Sequence, residues 1–217
     1  WQGSLAGKSV QFLEHGGTYD HNYWNWPQQT AAYSYVQTAT SAGYATFTID
    51  RLGVGQSDHP NPDSVTLTAE AGVAHQVIQA LRQGHFEHTA FSKIVSVGHS
   101  TGSSIAVLEA GTYHDVEGVI ATGFLHQLTT EAAAFVATFY PANQDPKFAG
   151  SGLPDGYFTT MPDTRRFFYN TTFASPSVIA KDEQLKETVT TGELNSATAF
   201  DPIFSRAITV PVLLAVG

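Results

Sequence analysis

The sequence predicts an α/β protein with a mainly parallel sheet, flanking helices and a large inserted segment. Over residues 1–123, short apolar, β-branched runs alternate with longer helix-like segments, which is typical of parallel sheets covered by helices. The alternation stops over residues 124–199, which are rich in aromatic side chains, and an apolar strand pattern returns within residues 200–217. With 217 residues in all, the chain is long enough for one sizeable core.

The apolar runs predict strands at residues 10–13, 44–49, 94–97, 116–121 and 210–216. The run at 94–97 is apolar on both faces, as expected of a central parallel strand. Helices are predicted at 27–42, 68–83 and 103–110. In the second of these helices, Val73, Val77 and Leu81 share one face, Thr68 can cap the start and Gly84 can end it.

Residues 124–199 interrupt this order and are predicted to form a cap over the sheet. We expect helices at 130–139 and 177–188 and irregular structure elsewhere in the cap, because long insertions of this kind are commonly functional lids. Phe135 and Phe139 are predicted to contact a substrate, as is His126, which follows the strand at 116–121.

Composition excludes several classes of function. The net charge is −9 and no basic run occurs, so nucleic acid is not an expected partner. No apolar stretch approaches the roughly 18 residues that a membrane span needs. The absence of cysteine excludes disulfides and thiolate chemistry. His85 and His88 have no third ligand nearby, and Gly53-Val54-Gly55 lacks the third glycine of a dinucleotide site, so neither a metal nor a cofactor is predicted. One glycosylation sequon at residues 170–172 is the only feature that points to secretion.

The segment GHSTG, residues 98–102, is the strongest chemical signal in the sequence. A serine between two glycines, after a buried strand and before a helix, is typical of a turn that presents a nucleophile. Ser100 is therefore predicted to be the nucleophile, and the amides that begin the following helix face the charge that develops during acyl transfer.

Two converging N–H groups are needed to stabilise that charge. The backbone N–H of Thr101 is one predicted donor, and the loop after the first strand, EHGGT, is expected to supply the other. We predict Gly17 as this second donor, with Thr18 as the neighbouring candidate for the donor and for substrate contact. Trp24, which follows this loop, is predicted to line the pocket.

The segments FLEHGG, FTIDRLGVGQSDHP, IVSVGHSTG and VPVLLAVG together resemble the α/β-hydrolase fold family, in order and in spacing. The resemblance covers most of residues 8–123 and 200–217. It implies a serine hydrolase with a nucleophile, an acid and a histidine in that chain order. It also implies that Asp50 and Arg51 are structural, in the turn after a strand.

The resemblance implies that the acid and the histidine follow the strand at 210–216, and that a hairpin precedes the first strand. Neither is found in the sequence, so the fold is expected to be incomplete at both ends. We therefore expect the chain alone to be inactive and to be completed by a C-terminal fragment of the same protein. Among the histidines, His126 is the alternative candidate, and Asp201 is expected to have a capping or surface role.

The most direct prediction is hydrolysis of a fairly apolar carboxylic ester through an acyl-enzyme on Ser100. Lactonase, C–C hydrolase, proline-type aminopeptidase and hydroxynitrile-lyase-like activities use the same serine turn and stay open. A relative that has lost catalysis and binds a ligand is the non-enzymatic alternative.

Overall fold

A computed structural model of the chain describes residues 3–124, 126–127, 129–197 and 202–216. Its main sheet contains five strands: β1 (Val10–Glu14), β2 (Ala45–Thr48), β3 (Ile94–His99), β4 (Gly118–Thr122) and β8 (Val212–Ala215). Their order is β2-β1-β3-β4-β8, and every pairing is parallel. The predicted α/β class and mainly parallel sheet are confirmed.

Four helices connect and flank these strands: α1 (Thr30–Tyr33), α2 (Tyr35–Ser41), α3 (Leu67–Gln83) and α4 (Thr101–Tyr113). The single helix predicted at 27–42 is wrong, because Ser34 interrupts it and caps α2 by accepting a hydrogen bond from the Gln37 N–H. The cap of α3 is Thr66, two residues before the predicted one, while Gly84 ends the helix in a left-handed conformation as expected.

The core lies on both faces of the sheet. On one face α3 and α4 pack against the strands through a large cluster that includes Phe12, Ile78, Ile94 and Ile105. On the other face a smaller cluster contains Leu13, Trp24 and Val97. Every residue of β1 is buried, including the polar Gln11 and the acidic Glu14, as expected of a strand inside a parallel sheet.

The inserted segment predicted to be a cap, for which the name cap is kept below, contains helices α5 (Thr130–Val136), α6 (Pro176–Leu185) and α7 (Thr191–Ala197) and the strands β5 (Phe139–Pro141), β6 (Tyr157–Thr160) and β7 (Val189–Thr190). These strands form a separate antiparallel sheet in the order β5-β6-β7. The expectation of irregular structure between the two cap helices is therefore wrong.

The chain returns to the body through α8 (Ile203–Ala207), which packs on α4, and then through β8. The predicted boundary between cap and body, at residues 199 and 200, lies outside the described residues, as does Asp201. β8 forms one edge of the sheet, and its side chains are exposed: Leu213 by 59% and Leu214 by 61%. Among the described residues, no helix is both long and apolar enough to cross a membrane.

Candidate active site

Ser100 occupies the tight turn between β3 and α4. Its φ of 50° and ψ of −115° are uncommon for a residue with a side chain. The Ser100 N–H donates to the Thr122 carbonyl at 2.9 Å, and the Ser100 carbonyl accepts from the Ser104 N–H at 3.1 Å. These bonds to β4 and α4 hold the turn, and the Ser100 residue itself is exposed at the carboxyl edge of the sheet.

The two glycines of the turn are required by close backbone contacts. A Cβ on Gly98 would collide with the backbone of Gly102, and a Cβ on Gly102 would collide with the carbonyl group of Glu14. The first turn of α4 therefore packs directly on the ends of β1 and β3, and this packing sets the direction in which Ser100 leaves the sheet.

The loop after β1 lies beside this turn. The Gly17 N–H donates to Oγ1 of Thr101 at 3.2 Å, and thus points at the residue that follows Ser100. Thr101 is the first residue of α4, so its own N–H has no partner within the helix. The two predicted oxyanion donors are therefore near one another, at the positive end of the α4 dipole.

Thr18 fixes the far side of the same loop. Its side chain is buried, donates to the Gly17 carbonyl at 2.6 Å and accepts from Nη1 of Arg165 at 2.6 Å. The Thr18 carbonyl accepts from the Glu187 N–H at 2.8 Å. Both Arg165 and Glu187 belong to the cap, so Thr18 links the cap to the loop. The Thr18 side chain is buried in these contacts and does not face an open site.

Arg165 is itself fully buried. Its Nη2 donates to Oδ1 of Asp182 at 2.8 Å, and its guanidinium lies over the rings of Tyr19 and Phe168, 4.1 and 4.7 Å from their centroids. Sequence reasoning missed Arg165 and Asp182. The available signal was two charged residues within an aromatic-rich segment, where a charge is buried only when it is paired.

Aromatic rings continue from this pair towards the first helix of the cap. The ring centroid of Phe168 is 5.6 Å from Tyr19 and 4.2 Å from Phe135, and Phe135 is 5.1 Å from Phe139. Phe135 and Phe139 are thus joined to the residue after Thr18 by an aromatic chain. Phe139 lies in β5, and not at the end of a helix as predicted.

The remaining predicted substrate residues lie elsewhere. Trp24 is buried in the sheet core with Leu13 and Val97, where its ring packs against Tyr23 and Tyr35. His126 is exposed, packs on Phe124, and its Nε2 is 3.5 Å from Oγ of Ser205. Neither the Trp24 nor the His126 side chain forms a hydrogen bond with Ser100.

The buried histidines near the turn have structural roles. His15 accepts from the Arg51 N–H through Nε2, and burial followed by the nearby Arg51 charge lowers its pKa to about 3. His99 stacks on Tyr23 and its Nδ1 is 2.9 Å from Oγ1 of Thr122, while burial lowers its pKa to about 4. Both rings are therefore unprotonated at neutral pH, and such low pKa values make them weak bases.

Ser100 Oγ forms no hydrogen bond with a histidine or a carboxylate within the part of the chain that the structure describes. The catalytic acid and base therefore remain a prediction, because none of these residues forms the required hydrogen bond with Ser100 Oγ. Glu14, at the end of β1, is buried and accepts from Oγ of Ser96 at 3.3 Å, and burial raises its pKa to about 8.

Asp50 and Arg51 have the structural surroundings expected of them. Oδ1 of Asp50 accepts from the His21 N–H at 2.9 Å. Arg51 is buried and donates to Glu70 of α3 at 2.5 Å and to Glu193 of α7 at 2.7 Å. This second contact joins the body to the cap, an arrangement that the motif alone did not predict.

Known structures share this architecture. A lipase-esterase related protein from Clostridium acetobutylicum has a TM-score of 0.63 at 14% identity, covering 98% of this chain and 75% of its own. A polyneuridine aldehyde esterase mutant has a TM-score of 0.59 at 15% identity, with 95% and 80% covered. A methylesterase from Arabidopsis has a TM-score of 0.58 at 12% identity, with 95% and 88% covered. At these identities the likeness concerns the fold.

Sequence comparison gives the family. No curated protein sequence matches the chain significantly. The sequence profile described as "Alpha/beta hydrolase family" matches residues 12–214, which include the whole of the main sheet apart from the ends of β1 and β8. On this match, together with the parallel sheet and the serine turn between β3 and α4, the chain belongs to the alpha/beta hydrolase family.

Proposed function

We propose that the protein is a serine hydrolase that cleaves carboxylic esters of small, fairly apolar molecules. The observation that carries this proposal is the Ser100 turn: a nucleophile-type residue with positive φ, exposed above the sheet, beside the Gly17 N–H and the start of α4. Membership of the alpha/beta hydrolase family supports the same reaction class.

In this mechanism Ser100 Oγ attacks the ester carbonyl carbon, and a base takes the hydroxyl proton. The negative oxygen that forms is stabilised by the backbone N–H groups of Gly17 and Thr101. Because the Gly17 N–H bonds to Oγ1 of Thr101, that side chain must turn aside to release the donor. The alcohol leaves with the proton, and water then hydrolyses the acyl-enzyme.

The substrate class follows from the cap. Tyr19, Phe168, Phe135 and Phe139 form a continuous aromatic chain that begins one residue after Thr18. An aromatic surface of this kind favours substrates with apolar acyl or alcohol groups, because transfer of apolar groups out of water lowers the free energy.

The base and its carboxylate partner are proposed to come from a complementary segment that pairs with β8. Two observations support this: no described histidine bonds to Ser100, and Leu213 and Leu214 of the edge strand are more than half exposed. An exposed apolar edge strand is a ready template for another strand.

A fluorophosphonate probe tests the proposal, because it reacts with a serine only when that serine is activated. We expect no labelling of the 217-residue chain alone, and labelling at Ser100 in a protein that includes a segment pairing with β8. Ser100→Ala removes the label, and Ser104→Ala, one helical turn further on, is the matched control that keeps it.

Absence of labelling in every form would contradict the hydrolase and favour a ligand-binding relative. If the 217-residue chain alone hydrolyses esters and this activity depends on Ser100, the need for a complementary segment is contradicted, while the assignment as a serine hydrolase is retained. A panel of esters, lactones and aminoacyl amides then separates ester hydrolysis from the other reactions of this turn.

A further inference from the structure

A second group of chemically active side chains lies at the other end of α4. His75 on α3, Glu109 on α4 and Asp115 in the turn before β4 each place a nitrogen or carboxylate oxygen within 4.8 Å of the other two. Glu109 is nine residues after Ser100, about 13 Å along the helix axis. The group is therefore separate from the candidate active site, and the proposed hydrolase does not use it.

Glu109 has no donor to balance its burial. Its side chain is fully buried, and no N–H or O–H group of the described residues donates to either carboxylate oxygen. Oδ1 of Asp115, which faces this region, also has no donor. Two carboxyl groups facing each other need a positive charge or a shared proton between them.

The neighbouring side chains hold the group in place, and none of the described ones donates a hydrogen bond to Glu109. Oδ2 of Asp115 accepts from Nε2 of Gln79 at 2.6 Å and lies 2.8 Å from Nδ1 of His75. The His75 ring is stacked on Tyr113, with 4.0 Å between centroids. Arg82 donates to the Asp115 backbone carbonyl and to Glu117, and its guanidinium bonds to none of the three oxygens that have no donor.

We propose that His75, Glu109 and Asp115 bind one zinc ion. An imidazole nitrogen with two carboxylate oxygens is a donor set that Zn²⁺ accepts, and water can complete four-coordination because the His75 side chain is 30% exposed. Gln79 supports the carboxylate from outside the group, as second contacts of metal ligands commonly do. The ion replaces the shared proton and joins α3, α4 and the turn before β4.

The His85–His88 pair considered in the sequence is not this site. The three ligands are separated by 34 and 6 positions along the chain, which gives no compact motif. Only the packing of α3 against α4 brings His75 to Glu109.

Isothermal titration of the 217-residue protein with ZnCl₂, after treatment with a chelator, tests the proposal. We expect one saturable site of 1:1 stoichiometry. Thermal unfolding monitored by circular dichroism should show stabilisation: at free zinc 100 times the measured Kd, the folding equilibrium constant rises about 100-fold. CaCl₂ is the comparator and should bind more weakly, since Ca²⁺ prefers an all-oxygen shell.

Glu109→Gln keeps the shape of the side chain and removes its charge, and should abolish both the binding and the stabilisation. His75→Gln should do the same, and provides a second variant if Glu109→Gln fails to fold. His88→Gln, an exposed histidine outside the group, is the control that keeps the 1:1 site.

Three results would overturn the proposal: no saturable zinc binding to the unsubstituted protein, binding retained with unchanged Kd in Glu109→Gln, or tighter binding of Ca²⁺ than of Zn²⁺. The first of these would leave Glu109 and Asp115 as a carboxyl pair that shares a proton.

Discussion

Arg165 provides the sharpest test of how the cap and the oxyanion loop depend on each other. Its guanidinium is fully buried and has two polar partners, Asp182 at 2.8 Å and Thr18 at 2.6 Å. Arg165→Met fills a similar volume but leaves the Asp182 carboxylate buried without its cation. Removal of one partner of a buried ion pair costs about 3–5 kcal/mol.

The lower end of that range is expected here. Asp182 keeps two hydroxyl donors, from Tyr169 at 3.0 Å and from Tyr19 at 3.3 Å, so its charge does not lose every partner. We therefore expect Arg165→Met to lower the free energy of unfolding by about 3 kcal/mol, which is a decrease in Tm of about 6–12 °C for a chain of this size. Asp182→Asn should cost a similar amount, because it leaves the guanidinium without a countercharge.

The double variant with both Arg165→Met and Asp182→Asn tests whether the two buried charges are coupled. When both charges are removed, neither is left unpaired, and the total loss should be about 4 kcal/mol, a coupling of about 2 kcal/mol between the two sites. Urea unfolding followed by circular dichroism measures all three variants against the unsubstituted chain. If the loss in the double variant equals the sum of the two single losses to within about 0.5 kcal/mol, Arg165 and Asp182 are not coupled and the reasoning fails.

Three further predictions concern the turn, acid stability and substrate choice. Gly98→Ala should lower the free energy of unfolding by more than about 3 kcal/mol, because the new Cβ would collide with backbone atoms. Gly72→Ala inside α3, where a Cβ has room, should raise it by about 0.5–1 kcal/mol. Equal effects of the two substitutions in urea unfolding would contradict the close backbone contact at Gly98. The His99 pKa is depressed to about 4, so the unfolded state binds more protons between pH 6.5 and 4 and stability falls as pH drops through that window, by up to about 1.4 kcal/mol per pH unit. His15, with a pKa of about 3, adds a slope of the same sign, so His99→Gln should reduce the total slope without abolishing it, and an unchanged slope would rule out His99 as a source. In a catalytically competent form, Phe135→Ala should lower kcat/KM about 10-fold for long acyl esters and little for acetates; an equal loss for both would argue against an acyl contact.

Local patterns were enough to predict the main sheet and the Ser100 turn. The central strand β3 is largely buried, so it appears in the sequence as a mainly apolar run that can be recognised without knowledge of its partners. The glycines at 98 and 102 are visible in the sequence because a close backbone contact tolerates no other residue.

The cap strands and the contacts of the cap could not be predicted in this way. Phe139 pairs with Thr160, and Tyr157 pairs with Thr190, so each short strand depends on partners distant in the chain. Trp24 lies in the sheet core with Leu13 and Val97, a position that its closeness in sequence to the oxyanion loop does not indicate. The bond from Arg165 to Thr18 spans 147 positions, and nothing in either local sequence indicates it.

The Arg51 contacts have a consequence for protein engineering. Arg51 follows a strand of the body, yet one of its two carboxylate partners, Glu193, belongs to the inserted cap. Deleting the cap, or grafting one from a relative, would leave a buried cation with half of its countercharge, a defect that surface redesign cannot repair. A transplanted cap must therefore bring a carboxylate to the position of Glu193, and the interchangeable unit is the cap together with the residues that receive it.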